Sequence, residues 1–218
     1  MPPSPAGADQ RVRRIGVDLD NTLCDYSRVF GPIAVELGLA SPSLANASKR
    51  VVKDHLMGGP GGEHAWMRLQ GQVYGRFLPR AAPYPGAVET LKGFVADGAQ
   101  VKIVSHKTRR GHFDEHGVDL WEAAQSWLDA NGLLSFGLAL EDVHFLETRD
   151  EKVARIASLA CDVFVDDLPE VLRHPAFPAG ATPIWFHGPG PVSADEEGLV
   201  GFETWAEVER AVRSALRF

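Results

Sequence analysis

The sequence predicts an α/β domain: a mostly parallel β-sheet covered on both faces by helices, with one small helical insertion. Three observations carry this. Short apolar runs recur at residues 12–19, 101–105, 143–146, 163–166 and 183–186, each the length of a buried strand. Between the later runs lie segments whose apolar residues repeat at helical spacing, the pattern of a sheet wound with crossover helices. The first interval is different: about eighty residues separate the first run from Val101, far more than one crossover helix needs.

Taken in order, residues 1–11 mix Pro, Ser, Ala and Gly and are expected to form a disordered tail. The strand at 12–19 follows and ends among carboxylates. Residues 27–83 read mainly as helices, interrupted by the connector Gly58-Gly59-Pro60-Gly61-Gly62, and form the insertion. The chain returns to its main pattern at Tyr84-Pro85-Gly86, so the core comprises 12–26 and 84–218. Helix 87–96 places Val88, Leu91 and Val95 on one face before Gly98 stops it. Helix 120–130 does the same with Leu120, Trp121, Ala124, Trp127 and Leu128, ahead of Gly132. A third covers 152–159. The last opens at Thr204, with Glu207 completing a capping box, and directs Trp205, Val208, Val212 and Leu216 inward.

Composition narrows the function. Hydrophobic residues at 44% and charged residues at 23% are those of a soluble globular chain, and 218 residues suffice for one domain with a small insertion. The net charge of −7, from 22 basic and 29 acidic residues, argues against a nucleic-acid backbone as partner and leaves anionic small molecules open. Nowhere do about 18 apolar residues run together, so no membrane span is expected, and no secretory signal core is present. Cys24 and Cys161 match no metal spacing and read as free thiols of a reducing cytoplasm, although Cys24 lies near the carboxylates.

The chemistry is concentrated at strand ends. Residues 15–22 read IGVDLDNT, an apolar strand ending in Asp18 and Asp20. Strand side chains alternate faces, so these two carboxylates lean the same way, a costly arrangement unless a cation lies between them or one holds a proton. The second strand ends in Ser105 and the fourth in Asp166-Asp167, while Lys152 opens the helix that leads into the fourth. Two carboxylate pairs at strand ends outline a site for a hard cation such as Mg²⁺, which accepts oxygen ligands and substrate phosphate oxygens. A hydroxyl from Ser105 and the ammonium of Lys152 would add donors and positive charge for an anion held there. Such a set suits phosphoryl transfer. Each residue also has a plainer reading: Ser105 as a loop-capping hydroxyl, Lys152 as a surface lysine beside Glu151, Asp167 as a helix N-cap.

The order D-x-D-N-T-L after an apolar strand, a strand ending in Ser, a lone Lys, then an apolar strand ending Asp-Asp resembles the haloacid dehalogenase superfamily. The likeness runs from about residue 12 to 186, and Tyr84-Pro85-Gly86 is similar to that family's return from an inserted cap. It implies a three-layer Rossmann-like core with a small helical cap domain. By position it implies Asp18 as the nucleophile that forms an aspartyl-phosphate, and Asp20 as general acid and then base. It further implies Mg²⁺ held by Asp18, the Asp20 backbone carbonyl and the Asp166-Asp167 pair, with the direct ligand of that pair left open. Thr22 and Ser105 would hold phosphoryl oxygens and Lys152 would offset charge. Within that superfamily the resemblance further implies that an acid at position 20 favours phosphate-ester hydrolysis, or transfer to a second hydroxyl, over carbon–halogen or carbon–phosphorus cleavage.

Around this centre, His106, Lys107, Thr108, Arg109, Arg110 and His112 form a basic run that would steer an anionic substrate; His106, Lys107 and Arg109 are taken as its substrate contacts. His112, Asp114 and His116 also offer the outline of a second metal site. In the insertion, His64, Trp66, Arg68, Tyr74, Arg76 and Arg80 are candidates for specificity contacts. The expectation is a Mg²⁺-dependent cytoplasmic phosphatase acting on a small phosphomonoester, a sugar phosphate or nucleoside monophosphate. The alternatives are a phosphomutase or phosphotransferase on the same site, and a non-catalytic binding protein that keeps the fold.

Overall fold

The computed structural model describes residues 11–113, 116–190 and 199–217. The tail expected over 1–11 thus lies outside the described residues except for Arg11, which is exposed and pairs with Asp162 at 2.9 Å. The main sheet contains β1 (Arg14–Val17), β4 (Gln100–His106), β5 (Val143–Leu146), β6 (Val163–Asp166), β7 (Thr182–Phe186) and β8 (Gly201–Phe202). Its order is β5-β4-β1-β6-β7-β8, with every pairing parallel. This is the α/β class expected from the sequence.

Alternation along the strands builds a core on each face. Ile103, Val163, Val165, Ile184 and Phe186 join one cluster with apolar residues of α4 (Ala87–Ala96), α5 (Leu120–Ala130) and α8 (Trp205–Leu216). Val104, Phe164 and Trp185 point the other way, against α6 (Arg149–Ser158) and α7 (Pro169–Leu172). The capping box at Thr204 and Glu207 is formed as expected.

Three details differ from the sequence expectation. The first strand is shorter, because its paired register with β4 and β6 lies within Arg14 to Val17. The helix expected over 152–159 is α6 and begins at Arg149, capped by Thr148 with Glu151 in reciprocal bonding, so Lys152 lies inside the helix rather than at its start. The two-residue strand β8 was not expected; it is too short to show a pattern.

The chain leaves the core through β2 (Cys24–Asp25) and returns through β3 (Ala82–Pro83), which pair antiparallel. Between them lie α1 (Phe30–Glu36), α2 (Lys49–Met57) and α3 (Gly62–Tyr74). Their apolar residues, Phe30, Ile33, Val52, Trp66, Leu69 and Val73, continue the core cluster that includes Ile15 and Val17. No helix among the described residues is long and apolar enough to cross a membrane.

Candidate active site

The register of the sheet brings the predicted residues together. Val17 is level with Ile103 of β4 and Val165 of β6, so Asp18, Ser105 and Asp166 all lie at the next steps beyond that line. The Asp18 amide donates to the Val165 carbonyl at 2.9 Å, holding it alongside β6. The turn that follows bends through Asn21 at φ 61°, a left-handed conformation that Asn tolerates better than most residues. Below, Thr22 is fastened to α8, its carbonyl accepting from the Trp205 indole at 2.9 Å.

Lys152 is the centre of the charge arrangement. From the fourth position of α6 its Nζ lies 2.6 Å from Asp18 Oδ1 and 2.6 Å from Asp166 Oδ2. All three side chains are buried, and that excludes the surface-lysine reading. Asp18, Asp166 and Asp167 each place a carboxylate oxygen within 4.8 Å of the others. Three carboxylates against one ammonium leave excess negative charge where water is largely excluded. Burial pushes the Asp18 carboxyl up to about 7; Lys152 opposes the shift, while Asp166 and Asp20 reinforce it. Asp167 is raised for the same first reason, with Asp18 and Asp166 adding to it. For Lys152, burial works against the charge but the two carboxylates outweigh it, so its pKa rises above the ordinary value.

Asp20 is held apart from this group. Lys107 lies 2.8 Å from its Oδ2 and the Tyr26 hydroxyl donates to Oδ1 at 2.6 Å. Lys107, expected to meet substrate, therefore contacts a carboxylate of the chain and sits beneath the Tyr74 ring, 4.9 Å from its centroid. Two buried hydroxyls, Ser105 Oγ and Thr22 Oγ1, have no hydrogen-bond partner among the described residues. Orphaned buried hydroxyls are uncommon because burial without a partner is costly. Ser105 does not cap a loop. Nor does Asp167 cap α7, whose N-cap is Leu168; the bond to the Leu168 amide comes from Asp166 at 2.9 Å.

Above these groups is a cavity of about 430 Å³, lined on one side by Asp18, Asp20, Ser105, Lys107, Lys152 and Asp167. The insertion supplies the opposite side through Lys49, Met67, Gln70, Gly71 and Tyr74. His106 reaches the rim, exposed, with Nε2 3.0 Å from the Glu147 carbonyl. Arg109 is not brought to the cavity: Asp119 holds its guanidinium at 2.7 Å, over the Trp121 ring. Of the six insertion residues singled out from sequence, Tyr74 alone lines the cavity. Trp66 stacks on Phe30 in the core, His64 packs on Phe113, Arg80 pairs with Glu36 and Arg76 meets His116. The second metal outline includes Asp114, which lies outside the described residues. Sequence reasoning missed Tyr26 and Lys49; the first had a faint signal, an aromatic hydroxyl soon after the paired carboxylates, and the second had none.

No model of a known protein family matches the chain, and no curated protein does. Solved structures do. A HAD family hydrolase from Deinococcus radiodurans R1, with bound phosphate and sodium, is 18% identical, with a TM-score of 0.57 over 95% of this chain and 97% of that one. A haloacid dehalogenase-like hydrolase from Burkholderia xenovorans LB400 is 14% identical, with a TM-score of 0.59 over 94% and 98%. A predicted phosphoglycolate phosphatase from Haemophilus somnus 129Pt is 17% identical, with a TM-score of 0.56 over 94% and 100%. These likenesses establish the fold: the chain has the architecture of the haloacid dehalogenase superfamily, over nearly its whole length.

Proposed function

We propose that this chain is a Mg²⁺-dependent phosphatase that hydrolyses a small phosphomonoester through an aspartyl-phosphate on Asp18. The observation that carries the reading is the buried cluster at the strand ends, where Asp18, Asp166 and Asp167 converge with Lys152 and the orphaned hydroxyl of Ser105. An all-oxygen donor set with excess negative charge fits a hard divalent cation, held by Asp18, Asp166 and Asp167, with the Asp20 carbonyl as a further oxygen. When bound, the cation would offset the carboxylates and the phosphoryl oxygens together.

The chain's own groups then account for the chemistry. Lys152 fixes the Asp18 carboxylate, and Ser105 donates to a phosphoryl oxygen. Asp18 attacks phosphorus; the phosphorus–ester oxygen bond breaks, and the leaving oxygen takes a proton from Asp20. In the second half, water attacks the phosphoryl group, Asp20 takes the water's proton, and the Asp18 carboxylate departs. Asp20 must exchange its contacts with Lys107 and Tyr26 during this cycle, which makes those residues the ones that set its position. Sugar phosphates and nucleoside monophosphates, the classes expected from the sequence, belong in a panel that also includes esters carrying a second anionic group.

The test is phosphate release from a panel of phosphomonoesters, with Mg²⁺ and with chelator. Release should require Mg²⁺ and fall by about a thousandfold or more in Asp18→Asn. Release that survives Asp18→Asn unchanged would defeat the proposal.

A further inference from the structure

The cavity contains three ammonium groups, and they are not alike. Lys152 is engaged by Asp18 and Asp166, and Lys107 by Asp20. The third, Lys49, comes from the first residue of α2, on the insertion side of the cavity. Among the described residues its Nζ forms no ion pair. It donates to the Tyr74 hydroxyl at 2.9 Å and lies over the rings of Phe30 and Tyr74, 5.2 and 5.6 Å from their centroids. Such partners orient an ammonium without cancelling its charge. Burial works against that charge, but Tyr74, Asp167 and Asp20 outweigh it, so its pKa lies above the ordinary lysine value.

A lysine that only needed solvation would extend into water. Lys49 instead turns its charge into a walled space, at the cost of partial desolvation. Gln70, Thr108 and His112 add further polar groups to the cavity lining. The space is also bounded at one edge. A Cβ at Gly71 of α3 would stand 3.2 Å from the Gly111 backbone, so the insertion and the loop after Ser105 nearly touch and bound the cavity there. A cation fixed on one wall, with the phosphoryl-binding groups on the other, selects a small molecule with negative charge at both ends.

Building on the phosphatase reading, we propose that Lys49 binds a second anionic group of the substrate. The preferred substrates are therefore small phosphomonoesters that also carry a carboxylate or a second phosphate. Neutral alkyl or sugar phosphates lack the group that Lys49 would hold.

Matched esters test this: propyl phosphate, 3-(phosphonooxy)propanoate and propane-1,3-diyl bisphosphate, with longer spacers in each series. In the wild-type protein with Mg²⁺, kcat/KM should favour one of the doubly anionic series by about tenfold or more, and the favoured series names the anion. In Lys49→Met that preference should collapse towards unity, and Lys49→Arg should restore part of it. Equal use of all three series, or a preference that survives in Lys49→Met, overturns the subsite. So does an equal loss on every ester, which would place Lys49 on the phosphoryl group itself. Binding measured calorimetrically on Asp18→Asn protein reads the subsite without turnover. There the doubly anionic ester should bind about tenfold tighter, and adding Lys49→Met should abolish the difference. Equal binding, or no binding of any ester, refutes the proposal. Absent turnover with selective binding would instead defeat the phosphatase reading alone.

Discussion

A buried lysine between two buried carboxylates has consequences for stability as well as chemistry. Removing Lys152 as Lys152→Met would leave Asp18 and Asp166 facing each other without a cation. The expected cost at pH 8 is about 3–5 kcal/mol by denaturant titration, and less at pH 5, where the carboxyls can take up protons. A cost under about 1 kcal/mol at pH 8 would mean that water or a rearranged neighbour replaces the ammonium. Asp18 itself makes the metal-free protein sensitive to pH. Its carboxyl titrates near 7 when folded, against an ordinary value of 3.8. Between these values the folded chain holds a proton that the unfolded chain releases, so the contribution of Asp18 to stability is fullest below about 4 and is lost as pH rises towards 7. Thermal melts in chelator from pH 4.5 to 8 should show this loss, and Asp18→Asn should make the profile shallower, with Asp167, raised in the same way, keeping part of the slope. Parallel profiles for the two proteins would assign the slope to other groups.

At the level of elements, β1 shows how close packing constrains sequence in a way the sequence does not announce. Gly16 lies level with Phe164 of β6, and a Cβ there would stand 2.3 Å from the Phe164 ring and 2.9 Å from Cys161 Sγ. Gly16→Ala should therefore destabilise the fold by about 1–3 kcal/mol, and Phe164→Leu should recover part of that loss in a double-mutant cycle. Simple additivity of the two would show that the ring is not what Gly16 accommodates. The buried strands were legible because an unbroken apolar run bounded by polar residues has few other uses, and the reactive groups were legible because polar residues closing such runs are conspicuous. Asp18, Ser105 and Asp166 were found this way. Lys49 was not, since a lysine opening a polar helix reads like any solvated one until the chain folds it over the cavity. Arg109 shows the opposite failure: its place in a basic run suggested a substrate contact, but Asp119, ten residues on, takes its charge. The pairing of β2 with β3 was equally hidden, because two-residue strands carry no period.

For the whole molecule, the candidate site joins segments that are remote in sequence: the end of β1, the end of β6 and the first turns of α6. The carboxylates of Asp18, Asp166 and Asp167 exist as a cluster only when the central strands are in register, so the unfolded chain has no comparable site. A cation that binds only the folded form stabilises by mass action, about 2.7 kcal/mol at a hundred times its dissociation constant. For a chain of this size that amounts to roughly 5–10 °C in melting temperature. Mg²⁺ should therefore raise the melting temperature at pH 8, with the gain growing as the logarithm of concentration once the site fills. The gain should shrink at pH 5, where protons compete for the same oxygens. Asp167→Asn should weaken the effect without removing the fold, because Asp167 contributes charge to the cluster but, unlike Asp166, is not gripped by Lys152. A monovalent salt at equal ionic strength controls for screening. A melting temperature indifferent to Mg²⁺ at pH 8, or an equal rise with the monovalent salt, would leave the three carboxylates without a resident cation.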